Sequence, residues 1–169
     1  MSLKKIILPE GFSSEERSEK AMANFKAGFN CCQSVVLAFD DVFETNRTLL
    51  ATVTSGLGGG VGRQREVCGC VSGMAICAGF IHPADNPEIK TDRTANYALV
   101  QELSGEFKKE CGSIVCKELL GLVPVSTTPM SSAEPSDRTP EYYKKRPCVH
   151  MVGLAATIVA DKIIELSRQ

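Results

Sequence analysis

Eight cysteines in a chain of 169 residues are the side chains here most able to do chemistry: Cys31, Cys32, Cys68, Cys70, Cys77, Cys111, Cys116 and Cys148. A thiolate is both a nucleophile and a soft metal ligand, so the local setting of each cysteine decides what it does. Cys31 and Cys32 follow Asn30, Cys148 follows Pro147, Cys116 is the third residue after Ser113, and Cys68 and Cys70 open an apolar run. Each of these places reads as the first turn of a helix, where free backbone N–H groups favour a thiolate or an anionic cluster. Cys77, inside Ala75-Ile76-Cys77-Ala78-Gly79, and Cys111, beside Glu110, read instead as small buried hydrophobes. The vicinal pair Cys31-Cys32 offers a strained disulfide as a redox switch.

The remaining chemistry-bearing residues are few. There are two histidines. Cys148 and His150 stand two apart and point to different faces of a helix, so they share a metal poorly. His82 sits at a helix end. Two histidines leave little scope for a hydrolytic triad. The run Ser55-Gly56-Leu57-Gly58-Gly59-Gly60-Val61-Gly62-Arg63 could cradle a cofactor phosphate through Gly58, Gly59, Gly60, Gly62 and Arg63. It lacks both Gly-x-Gly-x-x-Gly and Gly-Lys-Ser/Thr. The stronger reading is backbone passing close to packed helices or to the cysteines. Arg63 and Arg65 are candidates to put positive charge near Cys68.

Composition narrows the classes. A net charge of −1, a pI near 6.1 and no tryptophan give no reason to expect nucleic acid or an anionic membrane. No stretch approaches the roughly 20 apolar residues of a membrane-spanning helix. Lys4 and Lys5 precede too short an apolar run for a signal peptide, so a cytoplasmic, reducing setting is expected. There, cysteines serve as ligands or redox groups more often than as structural disulfides.

The elements that must position these residues read as helices. Ser13 with Glu16 forms a capping box for a helix to about Ala27, and Asn30 with Gln33 repeats it for one carrying Val35, Val36, Phe39, Val42 and Phe43 inward. A short helix over Arg47 to Thr54 leads into the glycine run. Glu66 to Phe80 reads as a buried helix, Thr91 or Asp92 caps the next, and Gly112-Ser113 starts a short one ending at Leu120-Gly121. Residues 121–146 hold Pro124, Pro129, Pro135 and Pro140 among Ser and Thr, and read as a long, mobile loop. Pro147 suits the first position of the last helix. The pattern predicts an all-α fold: one domain over 1–169, a bundle of six or seven helices, with an N-terminal arm at 1–12 and no strand beyond Ile6 to Leu8.

The chain also resembles a known family, described as putative redox-active proteins and named for the cysteine pattern C_GCAxxG_C_C. The resemblance runs from about Glu16 to Asp161. It rests on Phe25-Lys26-Ala27-Gly28-Phe29-Asn30-Cys31, Gly58 to Arg63, Cys68-Gly69-Cys70-Val71-Ser72-Gly73, Gly112 to Gly121, and Cys148. It implies that Cys31, Cys68, Cys116 and Cys148 are the redox or metal-ligating set. Cys70 departs from the pattern by occupying the motif's alanine position, Cys32 stands where alanine is common, and Cys111 is extra. No Cys-x-x-Cys-His is present, so covalent c-type haem is not expected.

Two redox readings are open: electron transfer through an iron–sulfur or similar Cys-ligated centre, or thiol–disulfide exchange by an oxidoreductase. The rivals are a binding module with structural zinc, which would ordinarily use Cys-x-x-Cys knuckles, and a helical domain with merely buried cysteines. The redox partner and any homo-oligomer are left open. The four cysteines are expected to converge, with Cys32 and Cys70 near enough to act as resolving partners and Cys77 apart in the core. One or two disulfides within the set, or thiols within disulfide reach, are expected in metal-free protein.

Overall fold

In the computed structural model, residues 7–122 and 132–168 are described. The fold is all-α. Eight α-helices occur among the described residues: α1 (Ser14–Lys26), α2 (Cys31–Val36), α3 (Arg47–Thr54), α4 (Gly69–Ile81), α5 (Lys90–Cys111), α6 (Cys116–Leu119), α7 (Pro140–Lys145) and α8 (Cys148–Ser167). Residue 6 lies outside the described residues, and Ile7 and Leu8 belong to no strand. Among the described residues no helix is long and apolar enough to cross a membrane.

Local chemistry sets most boundaries. The Ser13 hydroxyl accepts from the Glu16 N–H and opens α1. At α2 the box is complete, with Asn30 accepting from the Gln33 N–H and the Gln33 side chain accepting from the Asn30 N–H. The predicted continuation of α2 through Phe43 is replaced by turns after Val36. There Arg17 donates to the Ala38 carbonyl at 2.7 Å and Arg47 to the Leu37 carbonyl at 3.1 Å, occupying oxygens that a continuing helix would use. Val35, Val36, Phe39, Val42 and Phe43 are nonetheless buried.

The α4 helix begins at Gly69, later than Glu66, because residues 66–68 pair with another segment. The Cys68 N–H donates to the Ile114 carbonyl at 2.8 Å, and the Cys116 N–H to the Glu66 carbonyl at 2.6 Å. These bonds flank an isolated antiparallel bridge between Val67 and Val115. The α5 helix starts at Lys90 rather than at a Thr91 or Asp92 cap, and it ends at a left-handed Gly112 with φ 85°.

The proline-rich stretch differs from its expectation as an irregular loop. Residues 123–131 lie outside the described residues, but α7 forms within the rest. Thr139 accepts from the Tyr142 N–H and Pro140 stands in the first turn, a start signal that the surrounding Ser and Pro obscure.

One core joins these helices. The α1 helix lies along α8, and α2 lies along α4, which also packs on α5 and α8. Phe25, Phe39, Met74, Ile81, Leu103, Phe107, Val152 and Ile163 are fully or almost fully buried within it. The α2–α4 contact is close enough that a Cβ on Gly73 would stand 2.9 Å from the Val35 Cβ. That approach brings the N-terminal ends of two cysteine-bearing helices together.

Candidate functional site

The cysteines sit at the helix starts. Cys31, Cys116 and Cys148 are the first residues of α2, α6 and α8, and Cys68 is the N-cap of α4. Gly69 lets α2 and α4 meet, since a Cβ there would lie 3.0 Å from the Cys31 Cβ and 3.1 Å from the Cys32 nitrogen. The Val67–Val115 bridge ties the start of α6 to that of α4, which sets Cys116 beside the same group.

Cys31 is the centre of this arrangement. Its thiol lies well below the usual thiol range, first because the Cys148 thiol acts as a hydrogen-bond donor to it and next because the Cys70 thiol does the same. Burial opposes that shift, while the Arg138 charge and the Gly59 backbone N–H assist it. The donors are shifted the other way. Cys148 is pushed up chiefly by its bond to Cys31, and Cys70 by its bonds to Cys31 and Cys68.

Cys68 is lowered, first by the Cys70 thiol and then by the backbone N–H groups of Cys70 and Val71, against burial and the Cys31 charge. One Cys70 proton therefore answers to two sulfurs, and a thiolate at one of them weighs against ionisation of the other. Cys116 is raised by burial, although Arg65 pulls it down with an Nη1 lying 4.0 Å from its sulfur. Helix starts are expected to lower all four thiols. Cys31 is lowered chiefly by neighbouring thiols rather than by the N–H groups of α2, and Cys68 receives only a lesser part from the α4 N–H groups. Cys116 and Cys148 are raised. Desolvation outweighs Arg65 at the first, and donating a proton to Cys31 keeps the second protonated.

The other candidates separate. Cys70 is fully buried and is the thiol that most favours the Cys68 thiolate and, after Cys148, the Cys31 thiolate. Cys32 points into the core, where burial pushes it up to about 12. Cys77 is fully buried and raised by desolvation, with Cys32 the thiol whose charge it feels. Cys111 is half-buried at the end of α5 and also raised by burial. His150 is exposed. All eight cysteines are free thiols.

The glycine run serves the cysteines through its backbone. Gly59 supplies an N–H to Cys31, and Gly60 approaches Cys116 so closely that a Cβ would lie 2.7 Å from the Cys116 Cβ. Arg63 donates from Nε to the Ser132 carbonyl at 2.7 Å, and Arg65 reaches the Cys116 sulfur.

Sequence reasoning missed three residues around the site. Arg138 lies over the rings of Phe25 and Tyr142, at 4.3 and 4.8 Å from the centroids, and donates from Nη2 to the Phe29 carbonyl at 3.3 Å. Arg146 lies 4.8 Å from the centroid of the same Tyr142 ring. The Thr139-Pro140 start signal could have found α7, which carries Tyr142 between these arginines.

Among the described residues, no three His, Cys, Asp or Glu side chains are disposed to hold a metal ion. The donor chemistry of four thiols suits a soft metal, but their placement does not form such a site. What the arrangement supports chemically is a thiolate with protonated thiols beside it. No curated protein and no solved structure matched the chain. Residues 29–162 match the family described as "Putative redox-active protein (C_GCAxxG_C_C)", and the chain belongs to that family.

Proposed function

We propose that this chain is a thiol–disulfide oxidoreductase in which Cys31 is the attacking thiolate and Cys148 the resolving thiol. One arrangement supports the reading: Cys31 opens α2 and Cys148 opens α8, two helices that pack on each other, and the neighbouring Cys148 thiol favours the Cys31 thiolate while itself being pushed up. The attacking group in disulfide exchange must be ionised, and its partner must be near and still able to give up a proton.

The electron count closes on two thiols. The Cys31 thiolate attacks one sulfur of R–S–S–R, forming Cys31–S–S–R and expelling RS⁻. Cys148 then loses its proton and attacks the Cys31 sulfur, forming the Cys31–Cys148 disulfide and expelling the second RS⁻. The two thiols are oxidised by two electrons, the substrate disulfide is reduced to two thiols, and the protons leave with the products. Cys70 is the alternative resolving thiol, because it follows Gly69, the point where α4 meets Cys31, and it too favours the Cys31 thiolate. Cys68 and Cys116 complete the polar wall, with Cys116 held against Arg65.

The test uses fully reduced protein, a small disulfide, acid quenching and mass mapping. Wild-type protein should yield a Cys31–Cys148 disulfide, and Cys148→Ser should accumulate the mixed disulfide on Cys31. Cys31→Ser should abolish both. Stoichiometric iron or zinc bound through these cysteines in anaerobically purified protein would overturn the reading in favour of a metal centre.

A further inference from the structure

Positive charge gathers around the thiols from segments far apart in sequence. Arg65 lies 4.0 Å from the Cys116 sulfur, while Arg138 and Arg146 both lie on the Tyr142 ring at 4.8 Å from its centroid. Arg63 feels the repulsion of both Arg65 and Arg146, which places the loop arginines and the one preceding α8 in a single field. Among the described residues, no Asp or Glu forms an ion pair with Arg65, Arg138 or Arg146. The carboxylate of Glu66, next to Arg65, is taken by Lys117 at 3.3 Å.

Arg138 is the most telling of the three. Its guanidinium is held between two rings and tied by Nη2 to a carbonyl, yet its Nη1 is withdrawn from solvent without a hydrogen-bond partner. A guanidinium donor left unsatisfied away from water is costly, and so is a cluster of like charges. Sites that carry both costs are balanced when an anion arrives. The Cys31 thiolate supplies one negative charge, and Glu134 near Arg63 is another. The three guanidiniums of Arg65, Arg138 and Arg146 alone exceed these two.

We infer that Arg65, Arg138 and Arg146 form an anion-recognition subsite around the Cys31–Cys148 pair, and that the disulfide accepted there carries carboxylates close to its sulfurs. This rests on the dithiol reading above and names its substrate class. Guanidinium forks match carboxylate geometry, so the subsite both attracts such a disulfide and orients it toward Cys31. Arg65 and Arg146, which are half-exposed, meet the ligand first. Arg138, also half-exposed, is held by its two rings and the Phe29 carbonyl and adds its charge to the field at Cys31.

Three small disulfides of different charge test this: 3,3′-dithiodipropionate (dianionic), bis(2-hydroxyethyl) disulfide (neutral) and cystamine (dicationic). The rate of Cys31 loss with each is divided by the rate of that disulfide with 2-mercaptoethanol, which removes intrinsic reactivity. At about 0.01 M salt the dianionic probe should exceed the neutral one by about tenfold or more, with the dicationic probe slowest. At about 1 M salt the ratios should collapse toward one another. Arg65→Gln and Arg146→Gln should each narrow the dianionic-to-neutral ratio several-fold. Equal corrected rates at low salt would overturn the subsite and leave the dithiol reading standing. No reaction of Cys31 with any of the three would overturn both.

Discussion

Two arginines of this molecule are held in opposite ways. Arg17, on α1, is 1% exposed and fully neutralised. It grips Asp41 with both terminal nitrogens, the Nη2 bond being 2.9 Å, donates to the Ala38 carbonyl at 2.7 Å, and has Nε in ion-pair contact with Glu16 at 2.6 Å, a contact of charge without a directed hydrogen bond. Arg138, at the cysteine site, has aromatic rings on its plane, one carbonyl on Nη2, no carboxylate, and an Nη1 without a partner. A charge that serves the fold is matched by its own chain. On the proposed dithiol reading, the Arg138 charge is left to be matched by a thiolate or by substrate.

The largest expected effect lies on the structural side. Arg17→Met leaves Asp41 and the Ala38 carbonyl without their donor, and should cost about 2–4 kcal/mol. The figure is kept below that of a fully enclosed pair because Asp41 is partly in water. Urea unfolding measures it. Cys31 reactivity in the folded fraction should not change, and a change would erase the contrast between the two regions.

On the cysteine side, stability should fall in alkali. The Cys32 thiol is held up to about 12 in the folded protein, against about 8.5 in an unfolded chain. Between those values the unfolded state loses a proton that the folded state keeps. The stabilisation is thus whole below the unfolded value and is lost as pH rises toward the folded one. The slope is about 1.4 kcal/mol per pH unit for each such thiol. Cys32→Ala should make the fall between pH 9 and 11, read from urea midpoints, shallower by about that amount. An unchanged slope would mean that Cys32 ionises freely.

A smaller change separates the two arginines directly. Arg138→Gln removes two ring contacts worth about 0.5–1 kcal/mol each and breaks no ion pair, so it should cost about 1–2 kcal/mol. Its signature is chemical. The pH midpoint for alkylation of Cys31 should move upward, because the charge that favours the thiolate has gone. A loss as large as that of Arg17→Met, with the midpoint unmoved, would make Arg138 a structural residue.

How much of this was legible depended on whether the cause was local. The Asn30/Gln33 box and the helix over Arg47–Thr54 are written in nearby residues and appear as read, whereas Ser13 caps α1 without Glu16 closing the box and Pro147 stands as the N-cap of α8, one residue before its first position. The placing of Cys31, Cys116 and Cys148 at helix starts was legible too. What the sequence hid was set by distant partners. The α2 helix does not continue past Val36, where Arg47 and Arg17 take the Leu37 and Ala38 carbonyls, and α4 waits for residues 66–68 to pair with 114–116. A six-residue helix such as α7 has too little internal stability to announce itself. The raised pKa values of Cys116 and Cys148 depend on burial and on which thiol faces which, and spacing encodes neither.

The smallest expected effect concerns the loop that joins the site to its scaffold. From Gly59 to Arg63 the backbone runs left-handed, with φ between 57° and 71° at every residue, and Val61 lies within it at 59°. Glycine takes this conformation freely, whereas a β-branched residue there is strained by roughly 1–3 kcal/mol. Val61 is 36% exposed, so its side chain returns little of that through burial. Val61→Gly relieves the strain but enlarges the freedom of the unfolded chain, which offsets roughly 0.5–1 kcal/mol. The net should be a gain of about 1 kcal/mol, seen as a higher urea midpoint. The hydrogen bonds that close the loop, from the Gly62 N–H to the Gly56 carbonyl at 2.8 Å and from the Arg65 N–H to the Gly59 carbonyl at 3.1 Å, do not involve the valine side chain. Gly59 should therefore keep its N–H on Cys31, and the alkylation midpoint of Cys31 should stay where it is. If that midpoint rises while stability increases, the strain at Val61 is what presses the loop onto the thiolate. Backbone strain would then belong with Arg138 on the reactive side of the molecule.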